Sequence, residues 1–520
     1  MKRLRLQGTD HHQTRVGKSS RDHTKDVDEA VARFFYMDGI NVNVVNSVYF
    51  KEMAKAFGEF GSVYEPPSEE ILSGFLLQKE KLRLEKVLAL AKEMWLDTGC
   101  TILCVNRLDG ALGCFCVNFF VASRRAVMFL KEVDIIVGGD DGPDNLFINE
   151  LTNVIEEVGS SRVVQVITRL GGQAGDVFES VIFSKFPSVF WSHCTSHSIL
   201  LLMEEIAGLD WMKDVLLNVK KIDKSLSGFK NSSFCTNIDI PDHAFRDNVA
   251  QKFAPSYFSV SLILKIKPFL CELVLREEWK QWRLSINLPD EEVGLDTDLW
   301  DRAELMVQAY KPFLTLLTTM DADNSIMGDV YNWRVLAIEA LQCTGIDQML
   351  VKQLETTLES KWDDLFSPLH GAAYILNPRY FGRGQSEDES LKKAWNVIVE
   401  RCESETEVRI GLKEELSIYH KEEGCFAEAD AVECRDKMDP VSWWDNFGFE
   451  TPRLQSLAVK ILSQIASAGI MCRQSWQMCD NMPCAEAVQR SGFDAEQARD
   501  FVFVSNNLKL QSLRYGKLDC

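Results

Sequence analysis

The chain has 520 residues, 26% charged and 46% hydrophobic, the make-up of an ordinary globular protein with room for about three domains at roughly 150 residues each. Collagen-like, mucin-like and disulfide-stapled miniprotein readings are excluded. The formal net charge of -20, from 57 Lys and Arg against 77 Asp and Glu, excludes a surface that is basic throughout and built as a glove for nucleic acid.

The charge is uneven. Residues 1–25 hold seven bases (Lys2, Arg3, Arg5, Arg15, Lys18, Arg21, Lys25) and two acids, Asp10 and Asp22. With almost no aliphatic residues, residues 1–26 read as a disordered basic arm. Lys2, Arg3 and Arg5 are its candidate phosphate contacts or nuclear address; a solvated tail is the plain alternative. Residues 27–99 carry helical spacing, with Val31, Phe34 and Phe35, then Val48, Phe50, Met53 and Phe57, and Gly58 and Gly61 as stops. Pro66 and Pro67 break the chain, Ser68 caps, and a further helix runs to about Leu96. From Thr101 the texture changes to short runs rich in Val, Ile, Phe and Cys. Thr101–Val105, Cys114–Ala122 and Ala126–Val137 are expected to form an antiparallel meander. A helix over Pro143–Val158, a strand over Val163–Thr168, a helix over Asp176–Lys185, a strand over Val189–Trp191 and a helix opening near Cys194 follow. This is an α/β plan with a mixed sheet.

Residues 209–435 read as a helical insertion with turn-rich breaks at Asn231–Asp242 and Gly382–Glu389 and in the acidic stretch Glu403–Glu433. In 436–510, Asp439-Pro440 and Thr451-Pro452 each place a capping side chain before a proline, and Asp494 with Gln497 resembles a capping box. Residues 511–520 form a tail. No apolar run reaches the roughly 18 residues of a membrane helix, so a soluble, intracellular protein with no membrane partner is expected. The 15 cysteines are odd in number and scattered, as reduced core residues are, and no zinc-finger spacing is present.

The strand-helix order, with Val163–Thr168, Phe190–His197, Leu202–Ile206, Ala32–Tyr36, Tyr374–Phe381, Asp439–Trp444 and Phe501–Leu508, resembles plant proteins derived from the hAT superfamily of transposases. Such proteins join a domain-of-unknown-function region to a C-terminal dimerisation region. Here an upstream BED zinc finger is expected to be missing. The resemblance implies a ribonuclease-H-like mixed sheet over 100–208, interrupted by the all-helical insertion and completed by 436–510. It also implies a nuclear protein with a homodimeric or hAT-like partner and possible DNA contact. Finally, it implies three carboxylates holding two divalent metals, which clamp the attacking and leaving oxygens of a phosphodiester.

Those carboxylates fall on Val105, Arg169 and Arg473. Valine supplies no ligand and two arginines repel cations, so no transposase or nuclease activity and no metal cofactor are expected. The alternative is a residual metal-dependent nuclease using substitutes such as Asp109 and Asp176, each of which also suits a turn or a cap. Arg169 and Arg473 could instead hold a phosphate or carboxylate directly, against the reading that both face solvent or pair with acids.

Cys194 and His197 repeat a family Cys-x-x-His motif and resemble half a zinc site, but packing residues are the simpler reading. Gly171, Gly172 and Gly175 match no phosphate-loop spacing, and Asp140, Asp141 and Asp144 lack the order of a calcium loop. No serine-hydrolase elbow is present. Trp443, Trp444 and Trp476, with the helical face of Leu454, Leu457 and Ile461, either complete the core or form a dimer interface.

Overall fold

Strand alternation and helical periodicity build a mixed α/β protein, seen in a computed structural model. It describes residues 20–61, 64–109, 114–123, 126–136, 143–168, 173–235, 238, 240, 255–288, 297–319, 327–342, 348–467, 484–490 and 492–515. The chain divides into two compact units, residues 1–72 with 511–520, and residues 73–510.

The first unit holds helices Ser20–Met37 and Val48–Phe60 around the 3-10 turn Val42–Asn46. Phe35 is buried and meets Phe50 edge to face at 5.5 Å. The first helix starts inside the segment expected to be an arm. Gly58 does not stop the second helix; Gly61, at φ 85°, does.

In the second unit the helix Leu77–Thr98 ends at Gly99, whose φ of 64° lies in the left-handed region. A Cβ on Gly99 would run into the Val164 side chain, so the helix can enter the sheet at this angle only with glycine there. The sheet has five strands: β1 (Cys100–Asp109), β2 (Cys114–Ser123), β3 (Ala126–Ile136), β4 (Val163–Thr168) and β5 (Phe190–His193), in the order β3-β2-β1-β4-β5. The first three form the expected antiparallel meander, while β4 runs parallel to β1, and β5 to β4. Alternation divides β1 between two cores. Cys100, Ile102 and Cys104 pack with Ala91, Trp95 and the helix Pro143–Val158. Leu103 and Val105 face a second core made with Ile465, Val488, Ala498, Val502 and Leu510, from the far end of the chain.

The helices between Asp210 and Leu462 share a large core around Trp279, Trp300, Tyr310, Trp333 and Trp444. The acidic stretch Glu403–Glu433, expected to be turn-rich, contains the helices Thr406–His420 and Ala429–Glu433. Leu412, Leu416 and Tyr419 recur at helical spacing and face that core, while most of the acids occupy the outer side. Asp439, Ser68 and Asp494 cap as their sequence contexts predict. Thr451 does not cap: its hydroxyl donates to the Gly448 carbonyl, and Glu415 meets the start of the helix Pro452–Leu462 instead, accepting the Leu454 N–H. No disulfide joins the described cysteines, and Cys271 is exposed rather than in a core. No described helix is long and apolar enough to cross a membrane.

Candidate functional site

The face of the sheet carrying Val105 is where the expected metal-binding chemistry can be examined. Val105 is 2% exposed and packs among Leu103, Phe120, Ile167 and Cys194. It stands opposite Asn118 in the β1–β2 register, and its neighbour Leu103 stands opposite Ile167 of β4. The environment is that of a packed aliphatic side chain, and the valine itself offers no ligand atom. Arg169, Arg473, Trp476, Lys2, Arg3 and Arg5 lie outside the described residues. The backbone of Asp109 ends β1.

A buried polar network closes this sheet near its parallel strands. The Gln165 amide donates to the Thr101 hydroxyl at 3.0 Å and to the Ile465 carbonyl; Thr101 donates to Gln464 Oε1 at 3.0 Å. Ser192 donates to Gln165 Oε1 at 3.2 Å, and Gln464 Nε2 donates to the Thr98 carbonyl at 2.8 Å. The links run between β1, β4, β5, the end of the preceding helix and residues 464–465, so hydrogen bonds that must be made inside the core fasten a distant segment to the sheet. Phe129 is held in the same way, its N–H donating to Asn507 Oδ1 at 2.9 Å while Asn507 Nδ2 donates back to its carbonyl at 3.0 Å.

Cys194 and His197 belong to this fastening region. Cys194 is 2% exposed with its Sγ 3.5 Å from Ser467 Oγ, and Thr195 Oγ1 donates to the Ala466 carbonyl at 2.8 Å. Ser196 and Ser467 share a further hydroxyl bond. His197 is half-buried one turn along. Among the described residues no third ligand joins this pair to make a metal site. The segment sits where a packing motif would, opening a helix against the C-terminal chain.

The aromatic face weighed as a dimer interface is spent inside the chain. Trp443 and Trp444 are 0% exposed, and Leu454, Leu457 and Ile461 are all buried. Trp443 Nε1 donates to the Ala431 carbonyl at 2.9 Å and Trp444 Nε1 to that of Leu376 at 2.7 Å. Both rings pack against Tyr419 and Phe426. These side chains are buried within the single chain.

Two features carry no signal in the sequence pattern. One is a cleft of about 270 Å³ lined by Met94, Asp97, Thr98, Ser123, Val441, Asp445, Val459 and Ser463. Two carboxylates and no basic side chain among these residues make it unsuited to phosphate. The other is a set of polar side chains at the outer end of the Val105 face, on β2 and β3: Cys116, Asn118, Glu132 and Asp134. In sequence, Cys116 reads as one more reduced core thiol, and Glu132 and Asp134 as ordinary acids between apolar residues.

The family model for a domain of unknown function, DUF659, matches residues 67–222, less than a third of the chain. That domain is found in hAT-like transposase-derived proteins. No curated protein matches the chain.

Proposed function

We propose that this protein is a transposase-derived, ribonuclease-H-like scaffold that has lost phosphodiester chemistry and acts by binding, through self-association and contact with DNA in the nucleus. The observation that carries the proposal is Val105, packed at 2% exposure on the central strand of a sheet ordered β3-β2-β1-β4-β5. An antiparallel meander β1–β3 continued by the parallel strands β4 and β5 makes a mixed sheet, the kind of sheet the resemblance implies. The match over residues 67–222 to a domain of hAT-like proteins supports the same lineage. A two-metal mechanism needs hard oxygen ligands converging from neighbouring strands, and a buried valine removes the one on β1.

Self-association draws on a different surface from the late tryptophans. Phe34, Tyr36, Met37 and Phe60 of the first unit are exposed, and exposed large apolar side chains so close in sequence favour a protein partner. DNA contact draws on the basic arm. The protein is expected to show no magnesium- or manganese-dependent nicking or strand transfer, and metal-dependent turnover would overturn the reading. In a gel-shift titration, changing Lys2, Arg3 and Arg5 to glutamine is expected to flatten the dependence of log affinity on log salt by about 0.9 for each phosphate that is no longer neutralised. An unchanged slope would remove the arm from the interface. Light scattering of a Phe34→Ser, Met37→Ser variant tests the association surface, which predicts a shift toward monomer.

A further inference from the structure

We propose that Cys116, Glu132 and Asp134 bind a single divalent transition-metal ion of the zinc or cobalt type, with the Asn118 amide oxygen as fourth donor. The Cys116 sulfur and one carboxylate oxygen each from Glu132 and Asp134 lie within 4.8 Å of one another, close enough to share one ion.

The register explains why these side chains meet. Cys116 stands directly opposite Asp134, and Asn118 directly opposite Glu132. Residues two apart on a strand share a face, and directly opposed pairs bring their Cβ atoms to roughly 4.5–5.5 Å. A bulge between Phe119 and Phe120 makes the arrangement possible: Phe120 pairs with Phe129, but Phe119 already pairs with Lys131. The extra residue reverses the facing of β3 beyond it. Lys131 and Val133 turn to the face of the helix Pro143–Val158, where Lys131 meets Glu150 and Glu157 at 3.6 and 3.8 Å. Glu132 and Asp134 turn instead to the face of Cys116 and Asn118. Without the bulge a lysine would stand where a ligand does.

Asn118 is the independent sign of a ligand. It is 0% exposed, and neither its Nδ2 nor its Oδ1 has a hydrogen-bond partner. A buried amide without partners is unfavourable, and its register position aims it into the space between Cys116 and Glu132. A metal ion there satisfies the amide oxygen. Glu132 is oriented from behind, its Oε1 accepting the Ala485 N–H at 2.8 Å, as metal-ligating carboxylates are commonly fixed by a further hydrogen bond. Cys116 is buried while Asp134 is exposed, which provides both a protected thiolate and an entry path.

The donor set selects the metal. Sulfur with oxygens suits zinc, cobalt or ferrous iron, whereas magnesium and calcium take oxygen alone. The site lies on β2 and β3 and uses none of the positions at which the resemblance expects catalytic acids, so it is independent of the proposed loss of catalysis. Binding replaces the thiol proton with the metal, and that proton is released to solvent.

The test uses full-length protein stripped with a chelator and titrated with cobalt(II). One equivalent is expected to bind with a thiolate-to-cobalt charge-transfer band in the near ultraviolet, and zinc(II) is expected to displace it. Cys116→Ser is expected to abolish the band. Asp134→Asn, which alters an exposed side chain, is expected to weaken affinity by at least the roughly 10–100-fold that loss of a group supporting a ligand costs. Absence of stoichiometric binding to the parent would overturn the proposal, as would a band that survives Cys116→Ser or an affinity unmoved by Asp134→Asn. If Cys116→Ser fails to fold, the parent titration and Asp134→Asn decide.

Discussion

His370 shows how a single buried side chain ties stability to pH. It is 0% exposed, and its Nδ1 accepts the Ser367 N–H at 3.0 Å, closing a capping box at the start of the helix Pro368–Leu376. Burial pushes its imidazole from the ordinary 6.5 down to about 3, because the charged form cannot be solvated there. Above about pH 6.5 the ring is neutral both folded and unfolded, and its contribution is fully present. As pH falls toward about 3 only the unfolded chain takes up the proton, so stability drops by about 1.4 kcal/mol per pH unit across that window. Urea denaturation at stepped pH is expected to show this slope, reduced by one proton's worth in His370→Gln. Val105 allows the reverse experiment. Asp at this position places a carboxylate among Leu103, Phe120 and Ile167. The expected cost at pH 7 is about 3–5 kcal/mol, the scale of an unpaired buried charge, and it shrinks in acid as the carboxyl is protonated. Equal denaturation midpoints for parent and Val105→Asp would mean that the position is open and able to hold a ligand.

At the scale of elements, sequence signals located the strands and helices more securely than they located what finishes them. Val163–Thr168 and Pro143–Val158 have the bounds their periodicity predicts. The cap of the helix Pro452–Leu462 is different. Thr451 looks like its cap in sequence, but Glu415, 39 residues before Leu454 and 7% exposed, accepts the Leu454 N–H at 2.7 Å and the Arg453 guanidinium at 3.2 Å. Glu415→Ala is expected to cost about 1.5–3 kcal/mol, the value of a charged hydrogen bond in a buried setting, whereas Thr451→Ser, which keeps the hydroxyl bond to Gly448 and loses one buried methyl group, should cost about 1 kcal/mol. Chemical denaturation separates the two. The bulge in β3 belongs to this scale as well: a run such as Phe129-Leu130-Lys131-Glu132-Val133-Asp134 reads equally well in either facing, so nothing local reveals which acids turn inward.

For the whole molecule, a chain at -20 carries a basic segment at residues 1–25, and an aromatic-rich cluster lies in the helical core. Trp444→Ala is expected to cost about 3–5 kcal/mol in stability while leaving the oligomeric state in light scattering unchanged, because the ring is 0% exposed and its N–H is held by Leu376. A change of oligomeric state without loss of stability would return Trp444 to an interface. The sequence by itself determined the order of strands and helices along the chain, the helical regions and the absence of a carboxylate at Val105, because periodicity and residue chemistry are local properties. Tertiary structure alone decided that residues 464–467 and Asn507 close the sheet, that Trp443 and Trp444 are core, and that Cys116 and Asn118 meet Glu132 and Asp134. Each of those outcomes depends on strand register or on contacts between residues distant in the chain, and neither register nor a long-range contact leaves a trace in local spacing.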